Sequence, residues 1–258
     1  MDWSPYDAVL FDLDGVVTPT AEVHMRAWAA MFDQFLTDHP TRQEVAAPYT
    51  DADYFAYIDG RPRFEGVSSF LASRGIELPQ GTEDDDPELD TVGGLGNRKN
   101  AMFSHILATE GVRPYPGSLA LLEYLGAQQM PMAIVSSSRN APAVLHAASV
   151  TSFFAEVMHG GIAAERGLPG KPAPDTFLAA AADLDTAPER AVVIEDAISG
   201  VRAGVAGGFA LVIGVDRGVG TGALRAAGAS EVVSDLAQLI PGLTPGPAPK
   251  RSDSKETS

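Results

Sequence analysis

Three features of the sequence predict an α/β protein, a doubly wound parallel sheet with a helical cap inserted after its first strand. Short apolar runs at 8–11, 132–135, 191–194 and 209–215 each end in polar residues, as strands buried on both faces do. Helical stretches at 141–148, 175–183 and 197–206 fall between the last three runs, the alternation of a sheet covered by helices on both sides. The interval from about 20 to 112 breaks that rhythm with helical patterns of its own.

The first run, Ala8 to Phe11, is four apolar residues followed at once by Asp12 and Asp14. In the interval that follows, His24, Trp28, Met31, Phe32 and Phe35 recur at the spacing of one helix face. A second helix is expected over about 99–109, with Met102, Phe103, Ile106 and Leu107 on its apolar side and a stop before Gly111, which tolerates positive φ. These aromatic stripes are read as the core of the insert itself. The later strands bring Ser136, Glu195 and Asp196 to the carboxyl ends of the sheet, where ligands of such sheets bind. The last stretch, 241–258, is rich in Pro, Gly, Ser and Lys and is expected to be a disordered tail.

Composition limits the function. A chain of 258 residues buries a substantial core without staples, and the absence of cysteine removes disulfides, thiolate metal sites and a cysteine nucleophile. Residues 1–7 carry no basic leader pattern, and no run reaches the roughly 18 apolar residues of a membrane span, so a cytoplasmic protein is expected. The net charge of -16 disfavours nucleic acid and anionic membrane as partners, and any anionic substrate needs a local cationic pocket. The acidic run from Glu83 to Asp90 is read as a solvated loop rather than a cation site.

Four segments carry chemistry. Asp12-Leu13-Asp14-Gly15 puts two carboxylates past a buried strand, with a glycine permitting a sharp turn. A calcium loop starting at Asp12 is excluded, because Val16 and Val23 fall where ligands are required. Ser136-Ser137-Ser138-Arg139-Asn140 offers a hydroxyl and backbone amides to phosphate oxygens, or simply a helix cap. Gly170-Lys171-Pro172 holds a lysine in a stiff loop, and a nucleotide P-loop is excluded by Glu165 and Pro172 at its defining positions. Glu195-Asp196 is an adjacent acid pair at a sheet's mouth, costly unless it holds a metal.

In this order, Asp12-x-Asp14-Gly15, Ser136, Lys171 and Glu195-Asp196 resemble the haloacid-dehalogenase (HAD) superfamily, over nearly the whole chain from Ala8 to about Ile240. The resemblance implies a Rossmann-like HAD core at 1–20 and 113–240 and a helical cap domain at 21–112. It implies Asp12 as the nucleophile forming an aspartyl phosphate, Asp14 as general acid and base, and Ser136 and Lys171 holding the transferring phosphoryl group. It also implies Mg²⁺ held by Asp12, the main-chain carbonyl of Asp14 and Asp196, with Glu195 a ligand or acting through water. A dehalogenase is disfavoured, since that chemistry does not need Asp14 and Asp196.

Further residues resemble the β-phosphoglucomutase-like branch: Thr20-Ala21-Glu22-Val23-His24, Arg98-Lys99-Asn100 and Ser138-Arg139-Asn140. By that similarity His24 and Lys99 contact substrate or couple cap closure to catalysis, and Ser138 and Asn140 are secondary contacts. Arg63 binds the distal phosphate, with Arg61 the other candidate in Gly60-Arg61-Pro62-Arg63. Pro19 and Arg139 depart from the branch, which often has Asp and Lys there. The implied activity is a phosphomutase interconverting β-glucose 1-phosphate and glucose 6-phosphate, the alternative a phosphatase of sugar phosphates or other small phosphomonoesters. The expected partner is a small phosphorylated substrate of the sugar-phosphate class, and the expected state a monomer or weak dimer. A non-catalytic binding module would carry a broken motif, and all four motifs are intact.

Overall fold

The computed structural model describes residues 1–38, 47–59 and 61–243. Most of the tail expected at 241–258, from 244 onward, lies outside the described residues, as does Gly60. Six parallel strands form one sheet: β1 (Ala8–Phe11), β2 (Met132–Val135), β3 (Glu156–Met158), β4 (Ala191–Glu195), β5 (Leu211–Val215) and β6 (Glu231–Val233). Their order is β3-β2-β1-β4-β5-β6. The order reverses between β1 and β4, which are paired with Val9 opposite Val192 and Phe11 opposite Ile194. That reversal opens a crevice beyond the carboxyl ends of these two strands.

Alternate side chains serve opposite faces, so each strand must be apolar throughout. Val9, Phe11, Ile134, Val192 and Ile194 pack on one side with Leu121, Leu122, Val144 and Leu145. Ala8, Leu10, Ala133, Val135 and Val193 pack on the other with Phe177, Ala180, Ala181 and Val201. The edge strands β3 and β6 escaped the sequence reading because each has three residues, begins with a glutamate and is only half buried.

Between β1 and residue 112 the regular elements among the described residues are helical. Helix α1 (Thr20–Asp38) is followed by a short turn α2 (Asp51–Asp53) that runs into a π-helical turn at Tyr54–Ile58, then by α3 (Arg63–Ser73) and α4 (Val92–Glu110). Trp28, Met31, Phe32 and Phe35 of α1 join Phe70, Leu71, Val92 and Leu95 in a cluster separate from the sheet's two. Helix α4 starts at Val92, ahead of the expected 99, and its apolar face is shared: Val92 and Leu95 pack within the insert, whereas Phe103 and Leu107 join the sheet's cluster. The early turn was hidden by Gly93, Gly94 and Gly96, poor helix formers. They are there because neighbours approach closely, since a Cβ would lie 2.0 Å from the Thr82 carbonyl at Gly93 and 2.2 Å from that of Leu89 at Gly94. Thr91 caps the start by accepting the Gly94 amide at 2.9 Å.

The acidic run is a largely exposed loop, yet it is pinned. Asp85 accepts hydroxyls from Thr82 and Thr91 at 2.8 and 2.5 Å, and the Asn97 amide donates to the carbonyls of Glu83 and Asp85.

Candidate active site

The site is assembled from loops at the carboxyl ends of β1, β2 and β4 together with one lysine from a longer loop. Asp12 leaves β1 still held to β4, its amide donating to the Ile194 carbonyl at 2.9 Å. The chain then folds back: the amides of Val17 and Thr18 both donate to the Leu13 carbonyl, and that of Gly15 donates to the Thr18 carbonyl. Gly15 is obligatory twice over, because its φ is +88° and a Cβ there would stand 1.9 Å from Asp196 Oδ2. The turn directs the Asp14 carboxylate to the Thr20 hydroxyl, which donates to it and is itself bonded to Thr18.

Lys171 enters from the loop before the helix Asp175–Asp183. Its ammonium donates to Asp12 Oδ1 at 2.7 Å, Glu195 Oε1 at 2.6 Å and the Val135 carbonyl at 2.9 Å, with the Phe177 ring 4.9 Å beneath. Burial works against its charge, but Asp12 and Glu195 outweigh burial and raise its pKa. Ser136 lies one residue past β2, its Oγ accepting the Ser138 amide at 3.1 Å.

Asp12, Glu195 and Asp196 form the one group of three potential metal-ligating side chains among the described residues, with an oxygen of each within 4.8 Å of the others. All donors are carboxylate oxygens, the set suited to a hard cation. Burial raises the pKa of both Asp12 and Asp196; Lys171 opposes this at Asp12, and Glu195 adds to it at both. Such crowding of buried acids beside one lysine is what a divalent cation would relieve. Glu195 has both oxygens engaged, by Lys171 and by the Ala197 amide at 2.9 Å, whereas Asp196 accepts no hydrogen bond from the described residues. The Asp14 carboxylate is not in the group, and its main-chain carbonyl accepts no hydrogen bond from the described residues. Burial raises the Asp14 pKa, against the bond from Thr20 and the charge of Lys99.

The insert supplies a second layer. His24 on α1 stacks on Phe103 with ring centroids 4.1 Å apart, and its Nδ1 lies 2.5 Å from Lys99 Nζ. Its Nε2 is buried without a hydrogen bond, 3.6 Å from Asp14 Oδ1. Lys99 is 3% exposed between the Trp28 and Phe103 rings, and burial brings its pKa down to about 7, with Arg63 adding to the drop and Asp14 opposing it. Arg63 is half-buried with its Nε unbonded, whereas Arg61 is exposed.

Two contacts tie insert to sheet: the Asn140 amide donates to Asn100 Oδ1 at 2.6 Å, and Arg139 pairs with Glu83 at 2.8 Å. The polar bonds of Ser138 and Asn140 therefore serve a turn and this bridge rather than the acid cluster. The structure thus brings Asp12, Asp14, Ser136, Lys171, Glu195 and Asp196 to one crevice, with His24 and Lys99 beside Asp14. The sequence reading missed Thr20 as the partner of Asp14, although it lies in a quoted segment. It also missed Gly200, whose Cβ would sit 1.7 Å from Glu195 Oε1.

Comparison with known proteins agrees with this arrangement. A family profile described as haloacid dehalogenase-like hydrolase matches residues 6–208. A β-phosphoglucomutase of Mycobacterium bovis is 46% identical over 239 residues, covering 90% of this chain and 91% of that protein. Hexitol phosphatase A of Escherichia coli is 30% identical, covering 77% and 78%. The crystal structure of a β-phosphoglucomutase from Clostridium difficile superposes with a TM-score of 0.72 at 24% identity, covering 91% and 93%, a likeness of fold.

Proposed function

The chain belongs to the haloacid dehalogenase-like hydrolase family and is an enzyme of its phosphoryl-transfer class, and from that premise we propose that it is a Mg²⁺-dependent β-phosphoglucomutase working through an aspartyl phosphate on Asp12. The observation that carries the reading is Lys171 bonded to both Asp12 and Glu195 in the crevice between β1 and β4, with His24 and Lys99 of the insert closing on Asp14.

Asp12 attacks phosphorus, forming an Oδ–P bond as the ester P–O bond breaks, and Asp14 donates a proton to the leaving oxygen. In the return step Asp14 takes the proton of the accepting sugar hydroxyl while the phosphoryl group leaves Asp12. Thr20 holds Asp14 in place for both transfers, with the His24 ring beside it. Ser136 and Lys171 receive the phosphoryl oxygens and offset the charge that develops on them. Asp12, Asp196 and the Asp14 carbonyl, with Glu195 alongside, would hold Mg²⁺, which when bound supplies positive charge to the transferring group. The helical insert, 21–112, acts as the cap over a core of 1–20 and 113–240, excluding water so that a sugar hydroxyl accepts the phosphoryl group. No helix among the described residues is long and apolar enough to cross a membrane, which fits the proposed cytoplasmic setting.

The second reading, a sugar-phosphate phosphatase, draws on the similarity to hexitol phosphatase A. The deciding assay supplies β-glucose 1-phosphate with Mg²⁺ and a trace of glucose 1,6-bisphosphate, and follows glucose 6-phosphate and free phosphate together. The mutase reading expects glucose 6-phosphate to form well ahead of free phosphate. Stoichiometric free phosphate without glucose 6-phosphate replaces it with the phosphatase.

A further inference from the structure

In the turn that carries Asp14, every carbonyl from Leu13 to Thr18 except that of Asp14 itself has a partner. The Leu13 carbonyl takes two amides, the Val16 carbonyl takes the Ser118 hydroxyl at 2.6 Å, the Val17 carbonyl takes the Tyr115 amide at 3.0 Å, and the Thr18 carbonyl takes the Gly15 amide. The Gly15 carbonyl, buried with its residue, receives no backbone amide. Its partner is Arg217, whose Nε donates to it at 2.8 Å.

Arg217 is itself held from several sides. Its loop follows β5 and is shaped by Asp216, whose carboxylate accepts the amides of Gly218 and Gly220 and the Thr221 hydroxyl, each at 3.0 Å. A second guanidinium nitrogen donates to the Ser234 carbonyl just past β6 at 3.1 Å, and the Tyr115 ring covers the guanidinium at 3.8 Å. Tyr115 also grips the same turn through its amide, so the two residues hold it at Gly15 and at Val17. Among the described residues no carboxylate pairs with Arg217, so its positive charge stands unneutralised behind a loop bearing two acids.

We propose that Arg217 is a positioning residue for phosphoryl transfer: by fixing the Gly15 carbonyl it sets the Asp14 carbonyl and carboxylate against Asp196. The inference rests on the roles proposed above for Asp12 and Asp14. The mechanical link is tight, because the Gly15 α-carbon abuts the Asp196 carboxylate so closely that no Cβ fits between them. Motion of the Gly15 peptide therefore changes the spacing of the Asp14 and Asp196 oxygens directly. No pattern in the sequence marks this arginine, which lies 202 residues from its partner.

The test compares Arg217→Ala and Arg217→Lys with the unaltered enzyme, using p-nitrophenyl phosphate as a probe that does not depend on the sugar. Arg217→Ala is expected to lower kcat about 30- to 100-fold with KM within about twofold. Direct calorimetric titration of the metal-free protein should show Mg²⁺ binding weakened about tenfold. Unfolding midpoints should stay within about 4 °C. Tens of millimolar guanidinium, but not sodium or methylammonium, should restore part of kcat in Arg217→Ala and none in the unaltered enzyme. Arg217→Lys keeps the charge but not the two-ended grip, and should fall between the two. An Arg217→Ala enzyme with undiminished kcat and Mg²⁺ binding overturns the proposal. So does a kcat loss that tracks a collapse of the midpoint and ignores guanidinium, with Arg217→Lys equally damaged. Asp12→Asn is measured alongside: if it stays active the phosphoryl-transfer roles themselves fail, whereas a dead Asp12→Asn beside a normal Arg217→Ala removes only this proposal.

Discussion

The Lys171 ammonium and the Glu195 carboxylate form a buried ion pair, Nζ to Oε1 2.6 Å, in which the other Glu195 oxygen is already taken by the Ala197 amide. Gly200 presses on the same carboxylate, so Glu195 has little freedom to turn toward a metal, while the adjacent Asp196 has no protein partner among the described residues. The two neighbours should therefore separate on mutation. Asp196→Asn is expected to weaken Mg²⁺ binding about tenfold or more, and Glu195→Gln to weaken it less while lowering kcat through the loss of Lys171's partner. Calorimetric titration of both variants decides it; equal losses of affinity would make Glu195 a direct ligand.

Asp12→Asn should remove turnover by roughly a thousandfold or more, because it deletes the attacking oxygen and one donor of the metal group together. Asparagine matches aspartate in shape and the position lies at the sheet's mouth, so circular dichroism should match the unaltered protein. More than about a tenth of the original rate would remove Asp12 as nucleophile.

Lys99 gives a pH dependence of stability with a definite sign. Its pKa falls from 10.5 to about 7 in the folded state, burial being the main cause. Between those values the unfolded chain holds a proton that the native one lacks, so this group makes stability rise with pH, by up to about 1.4 kcal/mol per pH unit. Below about pH 7 both states are protonated and the native protein bears the whole cost of the buried ammonium. Lys99→Met removes it. Urea unfolding in chelator should show the variant's advantage largest near neutral pH and shrinking toward about pH 9.5. A difference that stays constant across this range would mean that Lys99 keeps its ordinary pKa.

How much of this was legible follows from where the causes lie. Asp12, Asp14, Glu195 and Asp196 could be placed together because each follows an apolar run, and parallel strands deliver their carboxyl ends to one edge. The four-residue run at Ala8–Phe11 was enough, since a strand buried on both faces has no polar position to confuse the reading. Helix α4 was shortened because Gly93 and Gly94 oppose helix locally and are required by contacts with Thr82 and Leu89, which only tertiary structure reveals. The bond between Arg217 and Gly15 was invisible for the same reason: one partner is a backbone carbonyl, and carbonyls leave no trace in a sequence. The engagement of both Glu195 oxygens was equally hidden, so the choice between direct and water-mediated ligation stood open.

Discrimination between mutase and phosphatase turns on how the insert recognises the end of the sugar that is not reacting. On a chain of net charge -16 this needs a dedicated cation. Arg63 is half-buried with an unbonded Nε, its pKa lowered by burial and then by Arg139, while Arg61 lies in solvent. A phosphate arriving between Arg63 and Arg139 would compete with Glu83, which now pairs with Arg139 across the gap between insert and sheet. On the mutase reading, binding of that remote phosphate would favour the arrangement in which His24 and Lys99 lie beside Asp14. If closure is driven in this way, Arg63→Ala should depress transfer to the sugar about a hundredfold while changing hydrolysis of p-nitrophenyl phosphate by only a few fold, because only the sugar substrate carries a phosphate remote from the reacting oxygen to anchor. Arg61→Ala should change neither. The measurement is kcat/KM on both substrates for all three proteins. Equal losses on the two substrates with Arg63→Ala, or none on either, would reject the mutase reading and leave a phosphatase whose insert shields the site without recognising a distal phosphate.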